Sequence, residues 1–197
     1  MENVINLLRE SGAMLEGHFL LSSGLHSDKY FQCAKLLQYP QKAQAALDDV
    51  VKKIKEEIKL GKFKVDIIAG PAMGGIIAAW EVARQMGLPS IFTERDENGI
   101  MTLRRGFELQ EGQNILIVED TITTGKSSHE CVEAIEKTGA KAVALACIVD
   151  RRSQQAEEFR WPFYPAVKIT ANNWQASECI LCKQGLPAVK PGSRRNI

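Results

Sequence analysis

Apolar and polar positions along this chain switch repeatedly between helical and strand spacing. Val4, Ile5, Leu7 and Leu8 predict a short opening helix that ends near Gly12. Residues 13–34 are extended in character and broken by Gly and Ser around Leu21-Ser22-Ser23-Gly24-Leu25-His26-Ser27. After Pro40, positions Ala43, Leu47, Val50, Val51, Ile54 and Ile58 predict a long amphipathic helix stopping near Gly61. Val65-Asp66-Ile67-Ile68-Ala69 reads as a buried strand followed by a Gly/Pro turn. Ile76, Ile77, Trp80, Ala83 and Met86 form the next helix face, ended by Gly87, and Ser90-Ile91-Phe92 is a short strand. Residues 94–112 are charged and read as a mobile segment. Ile115 to Val118 is a strand without alternation, hence buried on both faces. Lys126 to Thr138 is helical, stopped by Gly139, and Ala142 to Val149 is a third apolar strand. Alternating strands and helices predict an α/β fold, a central and mostly parallel sheet flanked by helices on both faces.

The 197 residues fit one domain: a small N-terminal cap over about 1–40, a core over about 41–170 and a tail over 171–197. Hydrophobic residues are 45% and charged residues 25%, which excludes a wholly disordered chain. A net charge of +1 gives no general attraction to nucleic acid or to a membrane surface, and neither is expected as a partner. The uncharged stretch Ile67 to Trp80 is too short and too Gly/Pro-broken to span a bilayer. The start Met1-Glu2-Asn3 lacks the basic, then apolar, character of a signal peptide, so a cytoplasmic location is expected.

The five cysteines make no disulfide framework, and Cys33, Cys131 and Cys147 read as small core residues. Cys179-Ile-Leu-Cys182 offers half the ligands of a structural zinc site. No second Cys or His pair stands near it in sequence, so no metal ligands are expected. Packed thiols or an inert surface pair remain open. Arg194 and Arg195 could meet an anion or be solvated tail charges.

The most informative stretch is Ile115-Leu-Ile-Val-Glu119-Asp120-Thr121-Ile122-Thr123-Thr124-Gly125-Lys126-Ser127-Ser128. A buried strand ends in two acids, and a hydroxyl-rich turn then opens a helix. Backbone N–H groups, hydroxyls and a helix N-terminus together bind a phosphate. Gly125 would let the backbone approach the anion closely. A nucleotide P-loop is excluded, because the place of its first glycine is taken by Asp120, whose charge repels phosphate. Ionised acids beside a single phosphate suit the vicinal hydroxyls of a ribose, and would stabilise positive charge at its anomeric carbon.

This segment resembles the phosphoribosyl diphosphate (PRPP) signature of the type I phosphoribosyltransferases. The resemblance implies that fold, with an N-terminal hood. It places Glu119 and Asp120 on the ribose hydroxyls and Thr121, Ile122, Thr123, Thr124, Gly125, Lys126 and Ser127 around the 5-phosphate. Ala72, Met73 and Gly74, within Gly70-Pro-Ala-Met-Gly-Gly75, match the loop that meets the pyrophosphate.

Two further stretches, together with the Gly70–Gly75 loop, are similar to the orotate phosphoribosyltransferases. Gly17 to Phe31 resembles the hood over orotate, with Tyr30 and Phe31 as its aromatic pair; plain core packing is the alternative for both. His18 and His26 read as ordinary polar residues. Phe92 to Phe107 stands in the place of the mobile catalytic loop. Thr123 and Arg151 match residues that meet orotate; a surface salt bridge is the alternative for Arg151. Ser22 and Gly74 stand where many of these enzymes carry Lys, and the loop has Arg95, Arg104 and Arg105 in place of Lys and His. Arg95 is the expected contact to pyrophosphate, and all three arginines could instead be solvated.

The resemblance implies transfer of ribose 5-phosphate from PRPP to orotate in pyrimidine (UMP) biosynthesis, with Mg²⁺ carried mainly by PRPP and pyrophosphate. It also implies a homodimer and a separate decarboxylase polypeptide. A purine phosphoribosyltransferase and a non-catalytic PRPP-sensing regulator of the same fold are the alternatives.

Overall fold

The computed structural model describes residues 2–21, 23–153 and 155–191; Ser22, Arg194 and Arg195 lie outside them. The chain opens with α1 (Glu2–Glu10), a hairpin of β1 (Met14–Leu20) and β2 (His26–Phe31), the short α2 (Ala34–Leu37) and the long α3 (Pro40–Lys59). Then follow β3 (Ile67–Pro71), α4 (Gly74–Met86), β4 (Ser90–Arg95), β5 (Met101–Leu103), β6 (Asn114–Ile122), α5 (Lys126–Glu136) and β7 (Lys141–Asp150). The chain closes with β8 (Phe163–Lys168), β9 (Asn173–Trp174) and α6 (Ile180–Lys183). Pro40 starts α3 at a position whose N–H has no intrahelical partner. Gly87 ends α4 in the left-handed conformation, at φ 71°.

The main sheet has the order β5-β4-β3-β6-β7-β8, parallel except for β5, which pairs antiparallel with β4. The unalternating apolar run of β6 has the two-sided burial it predicts. Leu116 and Val118 pack with Leu47 and Val50 of α3 and Ala79 of α4. Ile115 and Ile117 pack with Cys131 and Ile135 of α5 on the other side. Each such fully buried side chain stabilises the fold by roughly 1.5–3 kcal/mol. A smaller antiparallel sheet, β1-β2-β9, joins the N-terminal hairpin to a piece of the tail.

Several boundaries differ from the sequence reading. β3 starts at Ile67 and runs through Gly70 and Pro71, so the turn begins only at Ala72. A Cβ on Gly70 would lie 2.4 Å from the Gly75 carbonyl oxygen, so glycine is what allows α4 to start so close to the strand. β6 continues to Ile122, which places both acids inside the strand. The segment expected to be mobile contains a hairpin: β4 and β5 are joined by a turn in which Asp96 Oδ1 accepts the N–H groups of Asn98 and Ile100, each at 2.9 Å.

Candidate active site

Alternation along β6 sends its two acids to opposite faces of the sheet. Glu119 turns towards α5, where its Oε1 accepts a 2.6 Å hydrogen bond from the Ser128 hydroxyl. It is buried, and that burial pushes its carboxyl up to about 7. Asp120 turns towards the start of α4. Its Oδ1 accepts the Thr121 N–H at 2.8 Å, and burial raises its carboxyl above the ordinary range. A Cβ on Gly74 would lie 2.5 Å from Asp120 Oδ1, so only glycine leaves Asp120 its place. Cys33 supports this end of the strand, with Sγ 3.1 Å from Thr121 Oγ1.

Between β6 and α5 lies a cavity of about 130 Å³ lined by Glu119, Thr121, Ile122, Thr123, Thr124, Gly125, Lys126 and Ser127. Gly125 at the N-cap of α5 has no side chain to cap the helix, so apart from Lys126 the first amides meet no side-chain acceptor among the described residues and can face an anion. Gly125 holds φ 79°, and a Cβ there would come within 2.9 Å of the Phe159 ring. The Lys126 ammonium lies 3.9 Å from Glu130 along the helix, while its backbone N–H faces Thr124 Oγ1 at 3.3 Å. Across the strand end, Ala72 N–H donates to the Thr93 carbonyl at 2.7 Å, and Met73 is 84% exposed at the tip of the turn.

A second cavity, of about 510 Å³, adjoins the first and takes in Thr123, Thr124, Arg151 and Asn173. Arg151 and Arg152 follow β7 directly and have different fates. Arg152 is committed to the fold: it grips Asp150 through Nε at 3.0 Å and Nη2 at 3.2 Å, and lies over Phe159 and Phe163. The Arg151 guanidinium lies 4.8 Å from the centre of the Phe31 ring, and its Nε is buried with no hydrogen-bond partner among the described residues. It forms no salt bridge among the described residues.

The structure separates the aromatic pair. Successive strand residues face opposite ways: Phe31 lies under Arg151, whereas Tyr30 stacks on Phe19 with ring centres 5.8 Å apart. The loop arginines are exposed, and each stands beside a carboxylate. Arg95 pairs with Glu130 of α5 and donates to the Gly99 carbonyl at 2.6 Å. Arg105 grips Glu94 at 2.6 and 2.9 Å, and Arg104 stands 3.8 Å from it.

Sequence reasoning missed the surroundings of the tail cysteines. Cys179 and Cys182 meet His18 and His26 of the hairpin. The isolating feature in sequence, the lack of a nearby second pair, is removed by β9 bringing the tail beside β2.

The strand-acid-turn-helix arrangement defines a class, and comparison agrees: the chain belongs to the phosphoribosyl transferase family, whose domain model matches residues 40–179. It is 43% identical over 194 residues to the orotate phosphoribosyltransferase of Caldanaerobacter subterraneus subsp. tengcongensis, covering 98% of each chain. The fold is similar to the crystal structure of orotate phosphoribosyltransferase from Aeropyrum pernix (TM-score 0.70, 21% identity, 92% of this chain and 98% of that one). It is also similar to a crystal structure of adenine phosphoribosyltransferase (TM-score 0.64, 17% identity, 84% and 99%), so the fold does not choose the base.

Proposed function

We propose that the chain is an orotate phosphoribosyltransferase. The ring nitrogen of orotate bonds to the anomeric carbon of PRPP as the bond from that carbon to pyrophosphate breaks, and the nitrogen gives up its proton to the departing pyrophosphate or to water, giving orotidine 5′-phosphate. The observation that carries the choice of base is Arg151. Its buried, unpartnered Nε and its seat on Phe31 suit a planar anion, and a guanidinium binds a carboxylate through two parallel hydrogen bonds. Thr123 borders the same cavity and offers a hydroxyl to the ring. The identity to the Caldanaerobacter enzyme supports the same reading.

The 5-phosphate would sit at the start of α5, with the ribose lying across the end of β6 and a hydroxyl turned to each acid. Bound there, Glu119 and Asp120 stabilise the anomeric carbon as it becomes cationic. Pyrophosphate would leave over the Ala72-Met73-Gly74 turn. Arg95 has to part from Glu130 to reach it, which couples closure of the β4–β5 hairpin to catalysis.

The acids at the strand end diverge, and Glu119 is already engaged by Ser128. That arrangement fits Mg²⁺ entering with PRPP, held by pyrophosphate oxygens and water. The ion would neutralise the leaving group.

A homodimer is part of the proposal. Met73, Ile77 and Trp80 are exposed at one end of α4, spaced to form a single stripe beside the pyrophosphate turn. Sedimentation velocity of the protein with Trp80→Glu should show monomer where the wild type shows dimer. No helix among the described residues is long and apolar enough to cross a membrane, consistent with work in the cytoplasm. Orotidine 5′-phosphate keeps its carboxylate, whose removal would fall to a separate decarboxylase.

The test is a competition. Orotate, uracil, adenine, guanine and hypoxanthine at equal concentration share limiting PRPP and Mg²⁺, and products are identified by mass. Orotidine 5′-phosphate alone is expected; a purine nucleotide as main product overturns the assignment of the base.

A further inference from the structure

The β1–β2 hairpin carries a one-residue shift in pairing. Glu16 lies opposite Lys29, but Phe19 lies opposite Ser27 and Leu20 opposite His26. In unbroken register His18 and His26 would face opposite sides of the hairpin; the extra residue turns His18 to the side of His26. On that side sits the turn into α6. Cys179 precedes the helix and Cys182 follows one turn later, so both thiols point the same way.

The result is four donor atoms within 4.8 Å of one another: one ring nitrogen from each of His18 and His26, and the sulfurs of Cys179 and Cys182. His18 Nε2 lies 2.7 Å from His26 Nδ1, 3.4 Å from Cys179 Sγ and 3.9 Å from Cys182 Sγ; Cys182 Sγ is 3.4 Å from His26 Nδ1. His18 Nδ1 lies 2.8 Å from the Leu186 carbonyl oxygen. A carbonyl only accepts, so Nδ1 carries the proton and Nε2 turns a lone pair into the cluster. A second hydrogen bond of this kind to a backbone carbonyl is what orients histidines that bind metals. The backbone of the same histidine is held too: the His18 carbonyl accepts the Val189 N–H at 2.8 Å.

We propose that His18, His26, Cys179 and Cys182 bind a single zinc ion that fastens the C-terminal segment to the hairpin. Bond lengths to tetrahedral zinc imply ligand separations of roughly 3.3–3.8 Å. The sulfur–nitrogen separations match or come close, and the two imidazoles would part by about half an ångström to admit the ion. Two thiolates and two neutral imidazoles are a closed structural set with no open position, so the role is stability rather than chemistry. A two-iron cluster does not fit, because it would hold the thiolates and the imidazoles on different metals, whereas here nitrogen and sulfur donors interleave. Calcium and magnesium are excluded by the lack of oxygen donors. The ion would sit beside the pairing of His26 with Trp174 and thus stiffen the small sheet whose Asn173 borders the Arg151 cavity.

The experiment uses untagged full-length protein purified under reducing conditions from cells supplied with zinc. Elemental analysis after gel filtration should give about one zinc per chain. Replacement by Co²⁺ should give the visible absorption of a tetrahedral thiolate site. The Cys179→Ser, Cys182→Ser double variant should retain under a tenth of the metal. If that variant does not fold, zinc content and the cobalt spectrum of the wild type decide alone. Metal-free reduced wild type that takes up no Co²⁺, a Cys179–Cys182 disulfide in place of metal, or undiminished zinc in a folded double variant would each overturn the proposal. None of these readouts depends on activity, so the result stands apart from the assignment of the base.

Discussion

Arg151 sits over the ring of Phe31, its guanidinium carbon 4.8 Å from the ring centre, with its Nε buried and unpartnered. An arginine held this way is oriented before any ligand arrives. Removing it should therefore damage orotate recognition specifically. Arg151→Ala should lower kcat/KM for orotate about 100-fold, or roughly 3 kcal/mol. The PRPP Kd, read by titration calorimetry, should stay within a small factor. Arg151→Lys should recover little, since an ammonium lacks the planar fork. Equal losses for PRPP and orotate would count against this role.

Asp120 and Gly74 test the other face of the strand end. Asp120→Asn keeps the shape and loses the charge, so turnover should fall by about 100-fold or more. The melting temperature should change little. Gly74→Ala puts a methyl group 2.5 Å from Asp120 Oδ1 and should lower kcat by displacing that carboxylate. Wild-type turnover in Asp120→Asn, or a melted protein that is fully active per folded molecule, would remove Asp120 from the reaction.

Glu119 predicts a pH dependence of stability. Its carboxyl is raised from 4.5 to about 7 in the folded protein by burial. Below 4.5 it is protonated in both states and costs nothing. As pH rises from 4.5 to about 7 the unfolded chain ionises first, so the folded state loses stability across that window. Glu119→Gln keeps the acceptor for Ser128 and removes the titration. The melting temperature of the variant relative to wild type should therefore rise across this window and level off above it. A difference that is flat with pH would contradict the burial argument.

Gly125 combines a left-handed backbone with the closeness of Phe159. Gly125→Ala should destabilise the protein by at least about 1 kcal/mol from the backbone alone. It should also weaken inorganic phosphate and PRPP binding, because the cradle must shift to admit the methyl group. Unchanged phosphate affinity would place the 5-phosphate elsewhere.

Much of this arrangement is legible in the sequence. The apolar run from Ile115 to Val118 fixes a central strand because only a two-sided environment tolerates it. The acids and hydroxyls after it mark the strand end and the helix start as the candidate site. Other features are set by tertiary context. β8 carries Pro165 and lies at the sheet edge, where proline is tolerated and alternation is weak. The divergence of Tyr30 and Phe31 follows from strand alternation and could have been read from their adjacency. The engagement of Arg95 by Glu130 could not, since 35 positions separate them. The meeting of His18 with Cys179 spans 161 positions and depends on the hairpin shift and on β9 together. Neither has a periodic signature.

The most direct test of the central claim is the ultraviolet absorbance of orotate incubated with the protein and Mg²⁺, with and without PRPP. The account predicts a loss of orotate absorbance that begins only when PRPP is added and that Arg151→Ala largely abolishes. Unchanged orotate absorbance with PRPP present, under conditions where a purine base is consumed, would contradict it.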